Sequence, residues 1–437
     1  MKQPLELNDD FIYALDLLEK TAKNMFITGR AGTGKSTLLH LFRNTTRKNC
    51  VVLAPTGVAA LNVAGQTIHS FFGFPAKFFG PEDIKKRKDA RIYKKMEILI
   101  IDEISMVRAE MIDHIDRFLR INRDNYAPFG GVQVIFFGDL FQLPPVVSTP
   151  EEQHFFTTYY SSPYFFSAKV FTESPPSGGW GETFQLEMME LRKVYRQEAR
   201  HFIRLLDAVR LGSVDFDDLE DLNQRHLPNF NERDYFITLS PRNAVVDDIN
   251  SRELRNLAIQ EFTFHGDITG NFDPRQFPAE PTLRLKLGAQ VMFVKNDPKR
   301  DFVNGTIGKI VKLSAEQIVV QTEERDGTLK NIEVERQTWE ILKYTLGEGG
   351  SSLSTETIGS FKQYPLRLAW AMTIHKSQGK TFDRVIIDLA GGAFESGQTY
   401  VALSRCRTLD GIVLKQKISP RDIRTDERIV EFYERHF

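Results

Sequence analysis

Two cysteines, Cys50 and Cys406, are all that 437 residues contain. They are too few for a disulfide framework and too far apart in sequence for a metal site, so a reducing interior suits the chain. A surplus of one charge is missing as well. Fifty-seven Lys and Arg face 58 Asp and Glu, a net charge of −1, so any grip on a polyanion must come from local clusters. No apolar run approaches the roughly 18 residues of a membrane span, which argues against a membrane partner. The opening MKQPLELNDD is acidic where a secretory signal is basic and then apolar. A soluble, intracellular protein is expected, cytoplasmic or nucleoid-associated in a bacterium and nuclear in a eukaryote. With 41% hydrophobic and 26% charged residues the composition is globular, which excludes disorder and fibrous repeats. At about 150 residues per domain the length allows roughly three domains.

Short apolar runs at 25–28, 51–54, 98–101 and 132–137 alternate with amphipathic stretches, the pattern of a parallel sheet covered by helices. Pro, Gly and Ser crowd into SPPSGGWGE (174–182) and GEGGSSLSTETIGS (347–360), which read as seams without regular structure. Between 283 and 334 the pattern changes to LKLGAQVMFV, GTIGKIVKL, EQIVVQT and LKNIEV, with a tight turn at Asp326-Gly327, as in a small antiparallel barrel. Alternation returns with RVIIDL at 384–389, and 400–405 is expected to open or lie on a helix. The expected class is α/β. The first unit covers 1–175 with a small insertion near 64–95, the second covers 176–280 and 360–437, and the barrel at 281–345 is inserted into the second.

GRAGTGKS, 29–36, meets every fixed position of the G-x-x-x-x-G-K-[ST] phosphate loop, between a strand-like NMFIT and a helix-like TLLHLF. Inward-turned backbone N–H groups and a helix N-terminus suit phosphates, Lys35 reaches the β and γ phosphates, and Ser36 suits magnesium. Gly29, Gly32, Thr33, Gly34, Lys35, Ser36 and Thr37 are therefore the candidate nucleotide contacts, with ATP and Mg2+ as cofactors. EILIIDEIS, 97–105, delivers Asp102 and Glu103 at a strand end, where the first can hold magnesium and the second can polarise a water. Gln142, in FFGDLFQLPPV, is the candidate γ-phosphate sensor. Arg196 in KVYRQ and Arg405 in ALSRCR are candidate arginine fingers, although either could equally form a surface ion pair. If both reach the nucleotide, it lies between two domains.

Together GRAGTGKS, APTGVAA, GQTIHSFF, IIDEISM, PFGGVQVIFFGDLFQLPPV, YRQ, AMTIHKSQGKTFD and YVALSRCRT resemble the PIF (petite integration frequency) family of DNA helicases, in the RecD-like branch of superfamily one. The matching motifs run from Gly29 to Thr408. The stretch 111–131 resembles the family's own signature. The resemblance implies two RecA-like P-loop domains with parallel sheets, an SH3-like barrel inserted in the second, and the site roles argued above. It also implies 5′-to-3′ translocation on single-stranded DNA with unwinding of duplexes, G-quadruplexes and DNA–RNA hybrids, in genome maintenance. Two departures stand out. Phe11 occupies the place where family members carry a Gln that reads adenine, and Glu198-Ala199 follows Arg196-Gln197 where an Asp is expected, so support for Arg196 is sought from another carboxylate.

In the family the segments around Thr56, His69, His375 and Lys376 line the strand channel, so these four are the candidate DNA contacts. The run KKRKDARIYKK, 85–95, holds seven cations and reads first as a solvated helix face, second as a phosphate-contacting patch. Of 34 phenylalanines, Phe71 and Phe72 adjoin a strand-contact motif. A monomer is expected, with dimerisation on DNA as an alternative. Competing readings are a RecD-like or RNA-directed translocase and a non-enzymatic, ATP-switched DNA clamp or loader. A nuclease is disfavoured because no second acidic cluster accompanies Asp102 and Glu103.

Overall fold

The computed structural model describes residues 7–75, 77–172, 184–197, 199–230, 234–299, 301–324, 326–389 and 391–437. The first parallel sheet contains β1 (Asn24–Gly29), β2 (Cys50–Ala54), β3 (Gln66–Thr67), β4 (Ile98–Ile101), β5 (Gln133–Phe137) and β6 (Leu186–Leu191) in the order β3-β2-β4-β5-β1-β6. Every pairing is parallel. The reason is legible in the side chains. Strands covered on both faces must be apolar throughout, and all four residues of β4, Ile-Leu-Ile-Ile, are fully buried. Each such side chain contributes roughly 1.5–3 kcal/mol on leaving water.

After β6 the chain forms β7 (Ile237–Ser240) and then abandons the α/β pattern. Strands β8 (Glu261–His265), β9 (Asp267–Gly270), β10 (Thr282–Lys286), β11 (Gln290–Phe293), β12 (Ile307–Leu313), β13 (Ile318–Glu323), β14 (Leu329–Glu333), β15 (Gln337–Leu346), β16 (Leu353–Gln363) and β17 (Leu366–Leu368) follow. They make antiparallel sheets β14-β13-β12-β11-β17, β15-β16-β9 and β10-β8. The turn at Asp326-Gly327 joins β13 to β14, with Gly327 at φ +82°. A second parallel sheet, β18-β7-β19-β20, is completed by β18 (Ala371–Thr373), β19 (Val385–Ile387) and β20 (Ile412–Leu414). The molecule is thus α/β with antiparallel sheets between the two halves of its second parallel sheet.

The stretch 174–182 lies outside the described residues. Composition misleads at 347–360, where the expected seam is instead largely strand. β15 and β16 pair along ten registered positions, and only the tip near 347–352 is a turn. Thr355, Thr357 and their neighbours are good strand residues once a partner strand is present, and pairing overrides the Ser and Gly content. This hairpin also reaches the first sheet. The Tyr344 hydroxyl accepts from the Val52 N–H at 2.9 Å, the Tyr344 N–H donates to Gln66 Oε1 at 3.1 Å, and the rings of Tyr344 and Phe71 lie 5.7 Å apart. Among the described residues no helix is long and apolar enough to cross a membrane.

Candidate nucleotide site between two parallel sheets

The phosphate loop leaves the end of β1 and enters the helix Lys35–Thr45 through Gly34, whose left-handed φ of +88° places the turn. A side chain at Gly32 would lie 2.5 Å from Cβ of Arg196, so the loop and the segment after β6 are in direct contact. The Tyr195 N–H donates to the Gly32 carbonyl at 2.9 Å across the same seam. Lys35 Nζ donates to the Gly29 and Arg30 carbonyls at 2.6 and 3.1 Å. Burial lowers its pKa, while Asp139 and Glu103 act in the opposite sense. Phe11 packs its ring against Gly34, where a Cβ would meet it at 2.9 Å, so this position offers an apolar face and no amide.

Asp102 and Glu103 follow β4. Glu103 takes a left-handed φ of +51°, an uncommon conformation for a non-glycine residue and one that clusters at functional sites. Burial, then the neighbouring Glu103, pushes Asp102 up to about 7. Glu103 is raised by burial too, against the pull of Lys35 and Arg405. Gln142 follows β5 and is buried, its Nε2 donating to Asp139 Oδ2 at 3.2 Å.

From the second sheet comes the helix Gln398–Ser404, capped by Arg405. Arg405 is 1% exposed, and its guanidinium donates to the Val401 and Lys380 carbonyls and to the Ser404 hydroxyl at 2.9, 3.3 and 2.8 Å. Arg196 Nη1 donates to the Ser404 carbonyl at 3.1 Å. No carboxylate supports Arg196 among the described residues, contrary to the expectation from sequence, and Glu198 lies outside them. Burial and then Arg405 pull Arg196 down to about 9, and burial lowers Arg405. Lys35, Ser36, Thr37, Asp102, Glu103, Gln142, Arg196 and Arg405 all line one cleft of about 660 Å³. Three desolvated cations held below their ordinary pKa values suit a polyanion, because a bound anion would restore the charge that burial opposes.

The strand-contact candidates are more dispersed. Thr56 caps the helix Gly57–Asn62 by accepting from the Ala59 N–H at 3.2 Å. His69 lies in the helix Ile68–Phe72, its pKa lowered by burial and by Arg108. His375 pairs with Glu395 at 3.2 Å, and Lys376 on the helix Ile374–Ser377 is exposed. Phe71 and Phe72 are core residues, 7% and 0% exposed, so neither offers a stacking face. In the basic run 85–95 only Arg91–Lys95 is helical, so the expected helix face covers just its end. Arg87 donates to the Phe72 and Gly73 carbonyls, while Lys86 and Lys94 pair with Asp124 and Arg91 with Asp89.

A family model described as PIF1-like helicase matches residues 9–220, and one described as the 2B domain of DNA helicase Pif1 matches 274–313. The ATP-dependent DNA helicase Pif1 of Bdellovibrio bacteriovorus is 34% identical over 440 residues, covering 98% of this chain and 92% of that protein. The chain belongs to the PIF1-like helicase family. Vertebrate relatives are longer, and this PIF1-like chain spans about three fifths of the length of those it matches. Its fold superposes on Pif1 from Bacteroides sp. in complex with ADP-AlF4 with a TM-score of 0.89 at 36% identity, covering 99% of this chain and 97% of that one. Against Bacteroides Pif1 bound to ssDNA the TM-score is 0.69 at 37% identity, with the same coverage.

Sequence reasoning missed a buried ion pair that the PIF1-like fold sets behind this cleft, beside its lining residue Gln142. Asp139 is 1% exposed, and its carboxylate faces Gln142 and the guanidinium of Arg210, the latter at 3.3 Å. Arg210 lies over the rings of Phe141 and Tyr433 at 4.2 and 5.0 Å. Asp139 belongs to the same GDLFQLPPV segment as Gln142, so a signal for it exists. Arg210, at the end of the helix Arg200–Leu211, carries none, because nothing local distinguishes it from an ordinary helix cation.

Proposed function

We propose that the cleft binds ATP along the phosphate loop and that its hydrolysis drives 5′-to-3′ movement on single-stranded DNA. The chain is an ATP-dependent DNA helicase, as its family membership implies. The observation that carries the site assignment is the convergence of Lys35, Glu103, Gln142, Arg196 and Arg405 on one cleft between two parallel sheets. In this reading Lys35 neutralises the β and γ phosphates, and Glu103 orients and polarises the attacking water. Gln142 senses the γ phosphate, and both arginines offset charge that develops in the transition state. Gly29, Gly32, Thr33, Gly34 and Thr37 complete the phosphate cradle.

Ser36 and Asp102 are hard oxygen donors on the same cleft wall, which suits a magnesium ion shared with phosphate oxygens. Bound there, magnesium would supply charge neutralisation. Thr56, His69, His375 and Lys376 are proposed to contact the strand.

Energetics set what ATP must add. Unstacking costs about 1.4 kcal/mol per base-pair step, and stacking a freed base on protein returns roughly 1–3 kcal/mol. Binding can therefore offset separation, but direction requires that the grip on the strand differ between nucleotide states. Closure of the cleft, with Arg196 and Arg405 engaging the triphosphate, supplies that difference. We extend the reading to G-quadruplexes and DNA–RNA hybrids, and to a monomer as the active form.

The test is an unwinding assay on duplexes with 5′ or 3′ overhangs, with and without Mg2+ and ATP. ATP-dependent unwinding confined to 5′ overhangs is expected. Activity only from 3′ overhangs would overturn the polarity, and binding without unwinding on either substrate would favour the clamp reading.

A further inference from the structure

The helix Gln398–Ser404 meets the first sheet at a point that the arginine finger does not explain. It starts at Gly397, left-handed at φ +76°, where a Cβ would lie 2.4 Å from the Gln142 carbonyl oxygen and 2.6 Å from that of Phe141. One turn on, Tyr400 is 3% exposed and projects its hydroxyl between the phosphate loop and Asp139. The hydroxyl accepts from the Ala31 N–H at 2.9 Å and lies 3.2 Å from Asp139 Oδ2. The hydroxyl's single proton is donated to that carboxylate oxygen. The same Oδ2 takes the Gln142 Nε2 at 3.2 Å, while Oδ1 takes Arg210 Nε and Nη2 at 3.4 and 3.3 Å. Asp139 thus holds the Nε2 end of the Gln142 amide, and an amide oxygen, which only accepts, has no bond to make with that carboxylate.

We propose that Tyr400 is a positioning residue for hydrolysis, which locks the phosphate-loop amide of Ala31 to the amide of Gln142 through the buried carboxylate of Asp139. The chain of donors runs one way, from Ala31 N–H to the Tyr400 hydroxyl to Asp139, with Gln142 donating from the other side. Because Tyr400 and Arg405 share one helix, the motion that seats Arg405 also sets Gln142. The inference rests on the ATP-hydrolysing reading proposed above and deepens it.

The test is Tyr400→Phe, which keeps the ring and deletes the hydroxyl, assayed for ATP turnover with saturating single-stranded DNA. A fall of about tenfold in kcat is expected, equivalent to about 1.4 kcal/mol, with KM for ATP changed less than about twofold. In a double-mutant cycle with Gln142→Ala the two losses should be strongly non-additive, which a merely structural role would not produce. Wild-type kcat in Tyr400→Phe, a change confined to KM, or additive losses would each overturn the proposal. Should the variant fail to fold, hydrogen exchange on the wild-type chain decides: slow exchange at the Ala31 amide is expected, and fast exchange there overturns the link. Absence of DNA-stimulated turnover in the wild type would instead refute the underlying functional reading.

Discussion

The two parallel sheets use the same architecture for different chemistry. Loops at the ends of β1, β4 and β5 bring a lysine, two carboxylates and an amide, Lys35, Asp102, Glu103 and Gln142, to the cleft. Lys35 and Glu103 already moderate each other's burial within that first sheet. The second sheet brings Arg405, which among the described residues donates only to carbonyls and a hydroxyl. One side holds a nearly balanced set of charges, and the other offers a cation whose natural partner is an anion it does not itself contain. Binding can therefore belong to the first sheet, while turnover needs both.

The sharpest way to break that division is Lys35→Ala. Hydrolysis should fall at least about a thousandfold with nucleotide binding weakened as well, whereas Glu103→Gln should stop turnover with binding retained, as read by nucleotide titration and steady-state kinetics. Next in size is Arg405→Ala, expected to lower kcat by about a hundred- to thousandfold while nucleotide affinity stays within a few-fold. A pure affinity loss there would move Arg405 from the responding side to the binding side.

The smallest effect separates the stability of the first sheet from its chemistry. Glu110, on the helix Ala109–Arg123, is 1% exposed and paired with Arg108 at 2.6 Å, and burial raises its carboxyl from the ordinary 4.5 to about 7. Between those values the folded chain binds more protons than the unfolded one, so this group's contribution to stability falls as pH rises from about 4.5 to about 7. Relative to wild type, Glu110→Gln should gain a few °C in melting temperature across that window, with kcat unaltered. A melting difference that is flat with pH would contradict the argument.

How far the molecule could be read in advance depended on how local each signal was. The phosphate loop and the Asp102-Glu103 pair are contiguous motifs, because consecutive backbone groups and a single strand end create them. The hairpin of β15 and β16 was hidden by its Ser, Thr and Gly content, since pairing with a partner strand decides such residues. Phe71 and Phe72 adjoin a strand-contact motif in sequence, and packing alone decided that both belong to the core.

The order of residues along the chain by itself determined an α/β molecule, a nucleotide-binding loop and the acidic pair beside it, because these follow from periodicity and from recognition by neighbouring backbone groups. Only the tertiary structure decided that Arg196 and Arg405 reach that loop, that Arg196 leans on a carbonyl rather than a carboxylate, and that Tyr400 bridges Ala31 to Asp139. Those juxtapositions arise where β6 pairs beside β1, which sets Arg196 against the loop, and where the helix Gln398–Ser404 packs against the first sheet. Their geometry depends on side chains that fit together across hundreds of residues, and no local stretch of sequence carries that information.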